Sequence, residues 1–315
     1  MTAGPAVEFG HNGSSVIPGQ RQARYDPVED PVSGKEVMSF NDIIVYVDGS
    51  AVAKARVTFA VALAKEQDAH LIGIAFAPNA LLPLCGADVG FADMSGVLRD
   101  VKTQGETALK SFEAVAAAAG VSAEGRLMQG MSEQFPNDFA YFARQVDLTI
   151  LGQPRNGDPL IGQYALVERC LFSSGRPAMI VPAAPTELAL GGTIVAAWDG
   201  SAEAARAFND ALTFLKPAKR VVLLVGVTES SGDKDEPPVD DMVAHLKRHD
   251  VAVEVKRVPA GEGDIGRLLL SQAKELEADM IVMGAFHHSR WREFILGGVT
   301  LTMLEEATIP LFMAH

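Results

Sequence analysis

Ile43-Ile44-Val45-Tyr46-Val47-Asp48-Gly49-Ser50 reappears as Thr193-Ile194-Val195-Ala196-Ala197-Trp198-Asp199-Gly200-Ser201, with the two aspartates 151 positions apart. An apolar run closed by Asp-Gly-Ser is a buried strand ending in a turn, and its recurrence marks an internal repeat. After each Asp-Gly-Ser a helical stripe follows. Val57, Ala60, Val61 and Ala64 fall at i, i+3, i+4 and i+7 in the first copy, and Phe208, Ala211, Leu212 and Leu215 do so in the second. Each stripe is one helix face turned to a core. A second apolar strand comes next, His70-Leu71-Ile72-Gly73-Ile74-Ala75 and Val221-Val222-Leu223-Leu224-Val225-Gly226-Val227. Later anchors repeat as well: Asp147-Leu148-Thr149-Ile150-Leu151-Gly152 matches Asp279-Met280-Ile281-Val282-Met283-Gly284, and Pro177-Ala178-Met179-Ile180-Val181 matches Pro310-Leu311-Phe312-Met313-Ala314. Strands apolar on both faces that alternate with amphipathic helices predict an α/β fold. Each copy reads β-α-β-α-β-α-β-α-β, a five-stranded parallel sheet with helices on both faces, Rossmann-like in plan.

The copies are unequal. Asp147 and Asp279 lie 132 positions apart, so the first copy carries about 19 more residues than the second, placed by their Pro and Gly content near residues 78–101 as a loop or cap over the first site. The first copy spans residues 40–183 and the second 192–315, joined by the stretch from Pro182-Ala183-Ala184-Pro185 to Gly191-Gly192. Gly232 to Pro238 is a shorter polar break before a helix expected over residues 239–249. Residues 1–39 hold Gly4, Pro5, Gly10, Gly13, Pro18, Gly19, Pro27, Pro31 and Gly34 without apolar periodicity, and read as a disordered leader. Met38 just before the first strand is an alternative translation start.

The 315 residues carry a net charge of −13, with 21% charged and 48% apolar side chains, a globular composition. That balance argues against a nucleic-acid partner, which needs clustered Lys and Arg. The two cysteines, Cys85 and Cys170, form no CxxC pair, which excludes a disulfide scaffold and fits a reducing, cytoplasmic setting. No run approaches the roughly 20 apolar residues of a membrane span, so no membrane role is expected.

A tandem α/β repeat with Asp-Gly-Ser after the first strand, and a late strand ending in Gly before a Gly-rich helix start, resembles the universal stress protein family. The closing half of the second copy carries the likeness best, from Ala278-Asp279-Met280-Ile281-Val282-Met283-Gly284 through Ala285-Phe286-His287-His288-Ser289-Arg290 to Phe294-Ile295-Leu296-Gly297-Gly298-Val299-Thr300. Many members of that family bind ATP and some do not; its ATP pattern is Gly, two residues, Gly, nine residues, Gly, then Ser or Thr. Gly284 and Gly297 hold the first and third glycine positions, His287 stands at the second, and Gly298 at the hydroxyl position. The resemblance implies that Asp199, with Gly200 and Ser201, contacts the adenine side, and that Gly226 meets the base with backbone. It further implies an adenine-nucleotide (ATP) site in the second copy and a stress-response regulatory protein.

Physical chemistry supports that placement. Phosphates seek the unpaired N–H groups at a helix start, and glycines let their oxygens approach. Gly297-Gly298-Val299-Thr300 suits this, with Thr300 or Ser201 replacing the hydroxyl missing at Gly298. Arg290 and Arg292 either bring guanidinium charge to the phosphates or form a solvated loop face. The imidazole of His287 either blocks a phosphate or donates to it. In the first copy Arg155 replaces the second Gly, the Gly-Ser pair is missing around Tyr164-Ala165-Leu166, and Pro154 and Pro159 remove donors, so the site there reads as lost. Asp48 and Asp199 also have a structural reading, as caps of the helices that follow.

Other constellations are weaker. His245 and His249 have i, i+4 spacing but no third ligand, and read as a solvated face. His287-His288 does not have metal-ligand spacing. Cys170 reads as inert core, and Cys85 falls in the extra segment. No catalytic nucleophile motif occurs, and without a placed base or Walker-type lysine any ATP hydrolysis would be slow. Two function classes stay open: a nucleotide-binding regulator, and a nucleotide-free protein-interaction module in stress response. The closing strands, residues 177–181 and 310–314, are positioned to pair internally about a pseudo-twofold axis. A further homodimer is compatible with the pattern but not specified by it.

Overall fold

The computed structural model describes residues 39–80, 94–154, 162–183, 191–227, 238–259, 264–285 and 298–315. In the first half the order is β1 (Asp42–Tyr46), α1 (Ala51–Gln67), β2 (His70–Ala80), α2 (Met94–Ala119), β3 (Ala123–Met131), α3 (Phe135–Ala143), β4 (Leu148–Gly152), α4 (Gln163–Ser173) and β5 (Ala178–Val181). In the second half it is β6 (Thr193–Trp198), α5 (Ala202–Asp210), α6 (Leu212–Leu215), β7 (Arg220–Val227), α7 (Val239–Arg248), β8 (Val253–Pro259), α8 (Ile265–Glu275), β9 (Met280–Gly284), α9 (Gly298–Glu306) and β10 (Leu311–Ala314).

The ten strands of the described residues lie in one sheet, in the order β3-β2-β1-β4-β5-β10-β9-β6-β7-β8. Within each half neighbouring strands are parallel, and β10 pairs β5 antiparallel, with Phe312 opposite Met179. Alternation along β1 shows how both faces are covered. Ile43, Val45 and Val47 join one core with Val57 of α1 and Phe112 of α2, while Ile44 and Tyr46 join the other with Phe139 of α3 and Cys170 of α4. Along β6, Ile194, Ala196 and Trp198 pack with Phe208 and Leu246, and Val195 packs with Leu269 and Met303. The predicted stripe residues Val57, Ala60, Val61 and Ala64 are buried, as are Phe208, Ala211, Leu212 and Leu215.

The two halves share a seam. Phe40, ahead of β1, packs against Phe214 and Phe312 at ring separations of 5.5 and 6.5 Å. Gln153 donates through Nε2 to the Glu305 and Ala307 carbonyls at the end of α9, at 3.0 and 3.1 Å, and accepts from Ala183 N. It thereby satisfies two of the carbonyls that a helix end leaves open. The repeated aspartates have a structural use. Asp147 Oδ2 accepts the N–H groups of Asn41 and Asp42 at 2.8 and 3.0 Å, and Asp279 Oδ2 accepts that of Thr193 at 2.8 Å, each fixing the start of its half's central strand.

Residues 94–101 of the expected loop or cap belong to α2, which runs for 26 residues against 10 in α7, so much of the extra length went into a longer helix. Residues 81–93 and the leader, residues 1–38, lie outside the described residues. The helix expected over 239–249 is α7, with His249 as its C-cap. No described helix is long and apolar enough to cross a membrane.

Candidate functional site

Each half has the order 3-2-1-4-5 about its own first strand, so the order reverses between β1 and β4 and again between β6 and β9. Open α/β sheets bind ligands outside the carboxyl ends of the strands at such a reversal. Asp48-Gly49-Ser50 and Asp199-Gly200-Ser201 stand there.

The two triplets fold alike. Asp48 Oδ1 accepts the Ser50 N–H at 2.7 Å, and Asp199 Oδ1 accepts the Ser201 N–H at 2.9 Å. The helix caps are the serines: Ser50 Oγ accepts from Ala53 N and Ser201 Oγ from Ala204 N, each at 3.1 Å. The capping reading of the aspartates is thus corrected in favour of the serine two residues on: a Ser at N-cap reaches the N3 amide, which leaves the Asp carboxylate only the tight turn before it. Gly200 has φ +79°, which a side chain resists, whereas Gly49 does not enter that region.

Charge separates the two sites. In the first half, Arg56 of α1 is 5% exposed and lies under the turn. Its Nη2 pairs with Asp48 Oδ2 at 2.7 Å, its Nε donates to the Tyr46 carbonyl at 2.7 Å, and its guanidinium stands 5.1 Å from the Tyr46 ring centre. A Cβ on Gly152 would collide with Arg56 Nη1. The first-site glycine is therefore room for an arginine. Residue 207 holds the matching place in the second half and is alanine. There Asp199 is exposed and, among the described residues, has no cationic partner. Gly284 instead packs against the first turn of α5, where a Cβ would lie 2.6 Å from Ala204 N.

Burial pushes the Asp48 carboxyl up, but the Arg56 charge and the Ser50 hydrogen bonds outweigh it and hold it below its ordinary value of 3.8. A depressed carboxyl contributes stability that is full above the unfolded value and is lost as pH falls through the folded one. This contribution should therefore disappear only below pH 3.8. Asp48→Asn should remove that acid-dependent part and cost about 3 kcal/mol at neutral pH, because it strands a buried guanidinium. Urea unfolding at pH 7 and pH 3 checks both; an unchanged midpoint at pH 7 would show that the pair is not coupled to folding.

The remaining second-half residues place as follows. Gly226 is exposed at the carboxyl end of β7, beside Val258 of β8. Gly298 opens α9, where an added Cβ would meet no atom of the described residues within 4 Å, and Val299 is half-buried. Ser201 is half-buried with its Oγ accepting from Ala204 N, and Thr300 is 1% exposed. Its burial follows from helix geometry: two residues past Gly298, it turns onto the packed face of α9. His287, Arg290, Arg292 and Gly297 lie outside the described residues. His315, to which no sequence motif points, donates from Nδ1 to the Ala285 carbonyl at 2.9 Å and packs edge-on against Phe172 of α4 at 4.6 Å.

A cleft of about 940 Å³ opens in the first half between α1 and α2, over the carboxyl ends of β1 and β2. Apolar lining comes from Tyr46, Val57, Phe76, Val101, Phe112 and Val115, with Lys54 and Gln104 among the polar groups. Gly73 makes this wall possible: a Cβ there would meet the Phe112 ring at 2.5 Å, so glycine lets α2 lie close on β2. Elsewhere, His245 Nε2 is 3.1 Å from Asn209 Oδ1 and its ring packs against His249 at 4.6 Å. Among the described residues no group of three His, Cys, Asp or Glu side chains is placed to hold a metal. Cys170 is buried, with its thiol pushed far up by burial.

The sheet order and the paired turns define a Rossmann-like α/β protein built from two similar halves. Residues 192–315 match the model of the universal stress protein family, and the chain carries a domain of that family there. The whole fold is similar to that of a universal stress protein from Archaeoglobus fulgidus DSM 4304, at a TM-score of 0.66 and 16% identity over 87% of this chain and 98% of that one. It is also similar to a protein of unknown function from Pseudomonas aeruginosa PAO1, at a TM-score of 0.51 and 13% identity over 88% and 93% of the two chains. Both likenesses extend over the two halves and concern the fold alone. No curated protein sequence matches the chain.

Proposed function

We propose that the protein is a stress-response regulator whose second half binds an adenine nucleotide, ATP by the family pattern, while its first half does not. The observation that carries this reading is the difference between two equivalent aspartates. Asp48 is neutralised by Arg56, and Asp199 is exposed with Oδ1 on Ser201 N. An exposed carboxylate can accept from the amino or hydroxyl donors of a nucleoside. Gly226 beside it offers backbone without a Cβ, and the start of α9 supplies free N–H groups for phosphate. In this reading nucleotide binding serves conformation or partner choice. The antiparallel β5–β10 pairing supports the reading that each half is the other's partner, and the sparse, separated cysteines support a cytoplasmic setting.

Calorimetric titration of ATP into protein freed of prebound ligand tests the proposal. No heat at millimolar ATP would overturn it in favour of a nucleotide-free interaction module, a reading that draws support from the absent hydroxyl at Gly298 and the burial of Thr300. Gly298, where an added Cβ meets none of the described residues within 4 Å, gives a second check. Gly298→Ser should be tolerated and should tighten ATP binding by roughly tenfold, the value of one hydrogen bond to a charged group. An unchanged dissociation constant would show that the phosphates do not reach the start of α9.

A further inference from the structure

The cleft between α1 and α2 lies in the half whose aspartate is already paired. From that conjunction we infer that the first half is a second ligand site, one that takes an uncharged, largely apolar small molecule and excludes phosphate esters. Its volume of about 940 Å³ falls at the upper end of small-molecule sites. Three features set the ligand's chemistry. At the turn end, Arg56 is buried with its Nη2 on Asp48 and its Nε on the Tyr46 carbonyl, so its charge is balanced at the floor. A phosphate approaching Gly152 would have to displace that guanidinium and leave Asp48 without its counter-charge. On the walls, Val57, Phe76 and Phe112 offer apolar contact. Around the mouth, the hydroxyls of Thr58, Thr103 and Thr107 donate to the Lys54, Arg99 and Thr103 carbonyls of their own helices, which leaves their oxygens as acceptors. A flat apolar body carrying one or two N–H or O–H donors at its edge fits these walls.

Among the described residues the second half has no wall of this length. Its α7 is 10 residues long where α2 has 26, and the part of α2 that lines the cleft, residues 101–115, is itself longer than α7. The extra length in the first half therefore builds a container on the side where the phosphate subsite is closed.

Nile red, an uncharged flat apolar dye, is the probe. Wild-type protein should bind it saturably at one site per chain with a blue-shifted emission. ATP at millimolar concentration should not displace it, and Asp199→Ala should leave its affinity unchanged, which keeps this result independent of the second-half reading. Ala108→Trp, inside the cleft, and Ser111→Trp, exposed at its mouth and so no threat to folding, should each weaken dye binding by about tenfold. The inference is overturned if dye binding does not saturate, if ATP displaces the dye, or if Ser111→Trp binds it as tightly as wild type.

Discussion

Asp199→Ala should weaken ATP binding by between about 10-fold and 100-fold, and Asp48→Ala should leave it unchanged. The magnitude follows from removing a charged acceptor, worth about 1.5–3 kcal/mol in a hydrogen bond. The asymmetry follows from the partners. Asp199 is exposed at the end of β6 and spends Oδ1 on Ser201 N, while Asp48 spends Oδ1 on Ser50 N and Oδ2 on Arg56. Titration of the two variants under conditions where circular dichroism shows both folded reads the difference directly. Equal losses in both would mean that nucleotide enters both halves and that Arg56 moves aside. Equal retention would remove Asp199 from the site.

Gly284→Val should destabilise the protein by about 3 kcal/mol, the upper end of ordinary overpacking. The new Cβ would lie 2.6 Å from Ala204 N and 2.8 Å from Glu203 C, both backbone atoms that no rotamer change can move. Gly284 is also fixed from the other side, because β9 pairs with β10 there, Gly284 opposite Ala314. The strand cannot retreat without breaking that ladder. Gly298→Ala is the control, since its Cβ meets none of the described residues within 4 Å. Urea unfolding should show a large shift for the first and almost none for the second. A small shift for Gly284→Val would mean that α5 is free to move away from β9.

The fold was legible because its signals are local and repeated. Apolar runs such as Ile43–Val47 and Met280–Met283 are too short for buried helices and too continuous for a half-exposed strand, and the stripes at Val57 and Phe208 have helical period. The repeat doubled each of these signals. Less of the site was legible. A residue pattern placed Gly284 and Asp199 near one another, but it gave Gly152 the same meaning as Gly284, and the two differ. One signal was available: setting the copies in register puts Arg56 opposite Ala207, a buried cation against a methyl group, in an otherwise apolar helix face.

What the sequence determined by itself is the architecture: two α/β units, their strand order of appearance, and the turn chemistry of Asp-Gly-Ser, all set by hydrophobic period and by side chains within three residues of the groups they bind. What only the tertiary structure decided is which aspartate remains open. Arg56 of α1 reaches back eight positions to Asp48 and covers Gly152 of β4, 96 positions further along the chain. Neither contact has a period or a spacing to announce it, because a long flexible side chain is placed by the packing around it, and here that packing closes one site and leaves the other exposed.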